Sequence, residues 1–215
     1  MLSTRSASAS LVVAAALLVA GCGGGSGSKS SSGCSEVEKP KPRAAASLQP
    51  PSGRLDAETT YRVEVATNCG DFTMTLDPKT SPKTSASFVA LVRRGYFDHT
   101  IFHRIAPGFV IQGGDPTQSG GGGPGYSTVD RPPQTTRYVR NTVAMAKTAT
   151  EAPGTAGSQF FVVTRPDAQL PPEYALLGKI TDGQDVVARI GKLGDLQTQK
   201  PTRTVEIEKM TVQTS

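Results

Sequence analysis

Phe102-His103-Arg104-Ile105-Ala106-Pro107-Gly108-Phe109-Val110-Ile111-Gln112-Gly113-Gly114-Asp115 is followed, further along the chain, by Gly157-Ser158-Gln159-Phe160-Phe161-Val162-Val163. The two stretches bring together one arginine, two glutamines and several large apolar side chains on segments with strand character. They hold no obvious nucleophile and no metal cage, so the set is poorly suited to hydrolysis. It suits a reaction that needs an apolar socket and one aimed hydrogen-bond donor. Val110 and Gln112 share a face at the strand period of two and can line one groove.

On either side of these stretches the chain reads as short strands. Tyr61, Val63 and Val65 alternate with polar neighbours, then Phe72, Met74 and Leu76 do so after a Gly70-Asp71 turn, which predicts a hairpin. Ser81-Pro82 predicts a helix start with a capping hydroxyl, Ala86, Val89, Ala90 and Val92 form its apolar face, and Gly95 ends it. The quoted segment predicts strand from Ile101 to Ile111, then a glycine-rich loop from Gly113 to Gly125. Strands are expected at Val143–Ala146, Gln159–Thr164 and Ala175–Ile180, and a short helix at Gln184–Ile190. Thr204–Val212 closes the chain as a strand whose alternation shifts after Ile207, the mark of a bulge. Many short strands with two helices far apart argue for a closed or nearly closed barrel whose ends are plugged.

Taken in this order and at this separation, the two quoted segments resemble the cyclophilin-type peptidyl-prolyl cis-trans isomerases, and the resemblance runs from about Tyr61 to Val212. It implies a mainly β fold: a closed eight-stranded antiparallel β-barrel with helices capping the two ends, a filled core, and substrate on the outer face. It also implies that Arg104, in the family's Phe-His-Arg triplet, is catalytic, and that Gln112 steadies it and contacts the substrate backbone. Alone, Arg104 would read as a surface arginine on a strand edge. Phe109, Val110, Phe161 and Leu170 match members of a proline pocket, for which ordinary core is the bland alternative. Met145, Ala146 and Gln159 match residues along the peptide groove, and Tyr174 stands where the family often has His or Tyr. The implied partners are proline-containing polypeptides, with no cofactor and no metal.

The chain also departs from the family pattern. Gln169 stands where many members have Trp, so cyclosporin binding is expected to be weakened. Lys147-Thr148 replaces a common Asn-Ala, Leu177 replaces a frequent Phe, and the loop from Gly120 to Pro133 and Pro171-Pro172 are differently composed. His99 and His103 are four apart, but on a strand, with no third ligand and no zinc-protease Glu, so structural roles are expected. With only these two histidines as candidate bases, a Ser-His-Asp triad is disfavoured.

The N-terminus reads as an address. Leu11–Ala20 is an apolar run behind Arg5, too short to span a bilayer of about 30 Å and typical of a secretory signal. Val19-Ala20-Gly21-Cys22 looks like the lipobox of bacterial lipoproteins. That resemblance implies a signal peptide at 1–21, lipid on Cys22, and a protein exported and anchored to the outer side of the bacterial cell membrane. Residues 22–58 read as a Gly/Ser/Pro stalk and 59–215 as the isomerase domain. In an exported compartment a Cys34–Cys69 bridge is expected, against two free thiols or pairing with another chain. Cys69, in a turn between strands, would be partly exposed.

The net charge of +5 is modest and the basic residues are scattered, which argues against nucleic acid as a partner. A monomeric prolyl isomerase that assists folding of exported proteins is the leading expectation. A tethered peptide-binding or holdase chaperone with little turnover is the alternative. A solute-binding lipoprotein would need two α/β lobes, for which the chain is too short and too strand-rich.

Overall fold

β1 (Tyr61–Thr67) and β2 (Phe72–Leu76) alternate buried and outward residues and pair as an antiparallel hairpin, Val63 opposite Met74. The computed structural model describes residues 1–2 and 33–215. Most of the expected signal segment, Cys22 and the Gly/Ser tract to residue 32 lie outside the described residues. The remaining strands are β3 (Thr100–Ile101), β4 (Arg104–Ala106), β5 (Val110–Gly113), β6 (Thr128–Val129), β7 (Thr142–Met145), β8 (Thr155–Ala156), β9 (Phe160–Val163), β10 (Leu176–Asp182) and β11 (Glu206–Thr214).

Nine of these strands form one strongly curled antiparallel sheet in the order β3-β11-β1-β2-β10-β7-β9-β5-β4, and β6 pairs with β8. The fold is therefore mainly β with two helices, as expected. The detail differs from a closed eight-stranded barrel. The two edge strands, β3 and β4, are separated in the chain by Phe102 and His103 alone, so the sheet curls until its ends are consecutive in sequence. Counted as one interrupted strand, they make the eight.

The strand expected from Ile101 to Ile111 is broken a second time. Pro107 offers no backbone N–H to a ladder, and Gly108 adopts φ +67°, so the chain turns between β4 and β5 with Phe109 N donating to Ala106 O at 3.0 Å. The resulting hairpin sets Arg104 directly opposite Gln112. In β11 the register skips Glu208, which places the bulge just after Ile207.

Helix α1 (Pro82–Arg93) buries Phe88, Val89, Leu91 and Val92 and packs against β11; α2 (Gln184–Ile190) buries Val186, Val187 and Ile190 and packs against β2. The Ser81 hydroxyl does not cap α1, contrary to expectation. Instead Asp130 Oδ2, from a distant loop, accepts the Thr84 N–H at 2.7 Å, a negative group placed at the helix N-terminus. Gly95 supplies the left-handed stop at φ +65°.

Two apolar clusters lie on opposite faces of the sheet. The main core holds Ile111, Val143, Met145, Phe160 and Val162, with Phe88, Phe97 and Phe102 packed around Phe160. The outer cluster holds the alternate residues Val110, Ala144, Phe161 and Val163 with Tyr138, and Phe109, Ala146, Leu170 and Tyr174 lean against it. Covering both faces explains why these strands read as unbroken apolar runs.

From Cys34 onward the expected stalk is laid against the body. Cys34 is bonded to Cys69, and Ala46, Leu48 and Leu55 pack on the main core. Cys69 is buried rather than partly exposed, because this strap and α2 cover the turn.

Gly114, at the end of β5, adopts φ +87°, and an added Cβ would overlap the Ser158 carbonyl oxygen. Gly114→Ala is expected to destabilise the fold by about 2–3 kcal/mol, read as a lower urea midpoint at unchanged slope.

Candidate active site

Arg104 leaves the main chain from β4, half-buried, and its guanidinium is held from two sides. Nε donates to Gln199 Oε1 at 2.7 Å and Nη1 to Gln112 Oε1 at 3.1 Å. Among the described residues Nη2 has no hydrogen-bond partner. The group lies over the Phe109 ring, 6.0 Å from its centroid. Burial lowers the Arg104 pKa from its ordinary value, yet an arginine stays protonated at any pH at which a fold survives.

The glutamines continue the restraint. Gln112 Nε2 donates to Gln159 Oε1 at 3.0 Å, and Gln159 Nε2 donates to the carbonyls of Gly120 and Gly122 at 2.9 and 3.0 Å. Those glycines are set by Asp115, which is fully buried and accepts the N–H groups of Thr117, Gly120 and Gly122 at 2.7, 2.7 and 3.2 Å. Burial alone would raise the Asp115 pKa, but these hydrogen bonds and that of the Thr117 hydroxyl outweigh it and hold the carboxyl below its usual range. A chain of hydrogen bonds thus runs from a buried carboxylate through a glycine loop and two glutamines to one guanidinium.

Beside the guanidinium opens a cavity of about 190 Å³ walled by Phe109, Val110, Phe161, Leu170 and Tyr174. Its floor is the outer cluster. Tyr174 is fixed through Tyr138, whose hydroxyl donates to Tyr174 O at 2.6 Å and accepts from Tyr174 N at 2.9 Å. Burial pushes the Tyr138 phenol up to about 12. Phe161 meets Tyr174 edge-on at 5.5 Å between centroids.

Of the residues singled out from sequence, Arg104, Phe109, Val110, Gln112, Ala146, Phe161, Leu170 and Tyr174 line this one cavity. Gln159 lies one hydrogen bond away and lines a neighbouring cavity of about 560 Å³, which shares Gln112, Ala146 and Lys147 with the first. Met145 does not belong to the groove. It points into the main core on the opposite parity of β7 from Ala144. Gln169, with φ +55°, lines neither cavity. Lys147, whose side chain is 4% exposed, places Nζ 3.2 Å from Glu173 Oε2 and 5.6 Å from the Tyr174 ring centroid, on the rim common to both cavities.

Sequence reasoning missed Gln199, Asp115 and Tyr138. Gln199 comes from the loop after α2 and adopts φ +56°, and no local pattern marks it. Asp115 ended the quoted stretch and carried a signal only as a charge opening a glycine-rich loop. The two histidines serve separately: His99 Nδ1 lies 2.8 Å from Glu206 Oε1, while burial lowers the His103 pKa and favours the neutral ring. Among the described residues no group of three or more His, Cys, Asp or Glu could hold a metal ion.

A preformed apolar cavity beside a clamped guanidinium can bind a compact apolar ring and place a strong donor at its edge. A family model described as cyclophilin type peptidyl-prolyl cis-trans isomerase/CLD matches residues 62–212. The chain is 35% identical over 146 residues to peptidyl-prolyl cis-trans isomerase CYP18-2 of Arabidopsis thaliana, covering 67% of this chain and 89% of that protein. It is 36% identical over 151 residues to peptidyl-prolyl cis-trans isomerase-like 1 of Neurospora crassa, covering 70% and 93%. The crystal structure of a cyclophilin type isomerase of Cryptosporidium parvum, in the presence of the dipeptide Ala-Pro, matches with a TM-score of 0.66 at 34% identity, covering 72% of this chain and 99% of that one.

Proposed function

The chain belongs to the cyclophilin-type peptidyl-prolyl cis-trans isomerase family and is an isomerase of that class, and from that premise we propose that it turns X-Pro bonds of exported polypeptides and so assists their folding outside the cytoplasm. The observation that carries the site assignment is the guanidinium of Arg104, clamped between Gln112 and Gln199 at the mouth of an apolar cavity. That cavity takes the proline ring.

The reaction crosses a barrier of about 18–20 kcal/mol because the amide C–N bond is partly double. No covalent step is needed. When the bond twists, the prolyl nitrogen loses conjugation, becomes pyramidal and gains a lone pair that accepts a hydrogen bond. Arg104 Nη2 donates to that nitrogen better in the twisted state than in the planar one, which is differential binding of the transition state. Because the glutamines already hold Nε and Nη1, little reorganisation is required when the bond turns. Phe161, Leu170 and Tyr174 hold the ring still while the residue before it rotates, and Gln112 contacts the substrate backbone. The test is exchange between cis and trans forms of a short Ala-Pro peptide followed by NMR. Acceleration is expected; a folded wild type that gives none, yet suppresses aggregation of a client, would replace the enzyme by the holdase alternative.

The enzyme acts as a monomer held to the outer side of the bacterial cell membrane by lipid on Cys22. The supports are the apolar run before Val19-Ala20-Gly21-Cys22 and the Cys34–Cys69 bond, of a kind that persists in oxidising compartments. Two or more acyl chains are needed for stable anchoring. The full chain expressed in a bacterium is expected to partition into the detergent phase and to carry the mass of a diacylglycerol unit. Cys22→Ala is expected to release it to the aqueous phase; a variant that stays with the membrane would refute the anchor. Cyclosporin is expected to bind weakly, Gln169 standing where the family's Trp would contribute.

A further inference from the structure

The strap, which precedes the matched residues 62–212, runs alongside the glycine loop that braces Gln159. It starts at the Cys34–Cys69 bond, where Ser35 N donates to Asn68 O at 2.8 Å. It then meets one end of the loop: Gln118 Nε2 donates to Pro40 O at 2.8 Å and Arg43 N to Pro116 O at 2.9 Å. The Arg43 guanidinium also donates to Tyr96 O, and the Tyr96 hydroxyl lies 3.3 Å from Ser158 Oγ, which donates to Gly114 O at 2.7 Å. At the other end Leu48 N donates to Pro124 O at 2.8 Å while its side chain packs on the main core. Strap and loop are so close there that a Cβ on Gly125, φ +90°, would lie 2.7 Å from Ala46 O.

The loop needs such a grip. Five of the six residues 120–125 are glycine, and glycine loses more conformational freedom on ordering than any other residue. Asp115 holds the inner side, through the N–H groups of Thr117, Gly120 and Gly122. The strap holds the outer side at residues 116, 118 and 124. The two carbonyls that accept from Gln159 Nε2, those of Gly120 and Gly122, lie between these attachments. Ala45 and Ala46 line the same cavity as those glycines and Gln159, so strap, loop and glutamine meet around one opening.

We propose that the strap is a working part of the catalytic machinery: Arg43 and Leu48 are positioning residues that grip the glycine loop at its two ends and, through Gly120, Gly122, Gln159 and Gln112, keep Arg104 aimed at the prolyl nitrogen. The proposal rests on the isomerase reading. The isomerising unit then begins at Cys34, ahead of the matched residues, and the Cys34–Cys69 bond fixes where the strap starts. Neither Arg43 nor Leu48 lines the proline-sized cavity, so they act on the aim of the donor and not on the seat of the ring. Their loss is felt in the twisted state, where Arg104 is needed, more than in the planar ground state. The loss is partial, because Gln199 still holds Arg104 Nε.

The full chain is assayed by NMR exchange on an Ala-Pro peptide over a range of peptide concentrations. Arg43→Pro removes the N–H that meets Pro116 and the guanidinium that meets Tyr96; Leu48→Pro removes the N–H that meets Pro124. Each is expected to lower kcat about fivefold with KM nearly unchanged, and to speed exchange of the Gln159 side-chain amide protons with water. Gln159→Leu cuts the relay itself, and either strap variant added to it is expected to cost nothing further. Arg43 is exposed, so Arg43→Pro carries the test should Leu48→Pro fail to fold. Wild-type kcat in a folded strap variant, a loss confined to KM, or an equal loss repeated in the Gln159→Leu background would overturn the proposal. Wild type that leaves the exchange of the peptide unchanged would instead overturn the isomerase reading, and the positioning role with it.

Discussion

Arg104→Ala is expected to lower kcat/KM for an Ala-Pro peptide by about 10²–10³, the loss typical of removing one preorganised donor from a transition state. The loss should appear in kcat as much as in kcat/KM, because the planar ground state offers the prolyl nitrogen no lone pair to hold. Stability should change little. The side chain is half-buried on the outer face, and the two glutamine oxygens it releases, Gln112 Oε1 and Gln199 Oε1, can turn to water. Arg104→Lys should recover little of the rate. A single ammonium cannot engage Gln199 and Gln112 and still present a third donor in a fixed plane. NMR exchange spectroscopy on the three proteins decides the matter, and wild-type turnover in the alanine variant would remove Arg104 from the mechanism.

Asp115→Ala should have the larger effect on the fold. Three backbone N–H groups and the Thr117 hydroxyl lose a charged acceptor in a site closed to solvent. Hydrogen bonds to a charge contribute about 1.5–3 kcal/mol each, and they are not additive here, so a loss of about 3–5 kcal/mol is expected. The turnover should fall as well, by about tenfold: once Gly120 and Gly122 move, Gln159 loses both carbonyl partners, Gln112 loses its anchor, and Arg104 keeps Gln199 as its one firm hold. Asp115→Asn should lie between, since its oxygen still accepts while its amide opposes the inward N–H groups. The sign of the pH effect follows from the lowered carboxyl pKa. The stability Asp115 contributes is present above the ordinary value of 3.8 and is lost as pH falls through the lower folded-state value. The gap in melting temperature between wild type and Asp115→Ala should therefore narrow in acid below pH 3.8, while equal melting temperatures at pH 7 would show that the loop does not depend on this carboxylate.

Both effects depend on parts of the site that were unequally legible in the chain. Arg104 and Gln112 could be paired from their motif, and the hairpin that sets them opposite follows from Pro107-Gly108, a local signal that the reading of one long strand passed over. The apolar wall was legible as well, Phe109, Val110, Phe161, Leu170 and Tyr174 all reaching one cavity. Met145 was not. Thr142–Met145 is buried throughout, so no alternation of polar and apolar residues tells which parity faces the groove. Gln199 and Asp130 were invisible for a different reason: each acts on an element far away in the chain, and neither belongs to a periodic segment.

What the chain determined by itself is everything that rests on neighbours within a few residues: the β1–β2 alternation, the apolar faces of α1 and α2, the stop at Gly95, the bulge after Ile207, and the motif that carries the guanidinium. These follow from backbone periods and from the φ that Gly and Pro permit. Tertiary structure alone decided that β3 and β4 would become the two edges of one curled sheet, that a glycine loop nailed by Asp115 would brace Gln159, and that the segment read as a stalk would wall a cavity. Each of these joins groups brought together by chain closure, where the partner is chosen by which surfaces remain to be covered and which buried donors remain to be satisfied, and no local pattern of residues encodes that choice.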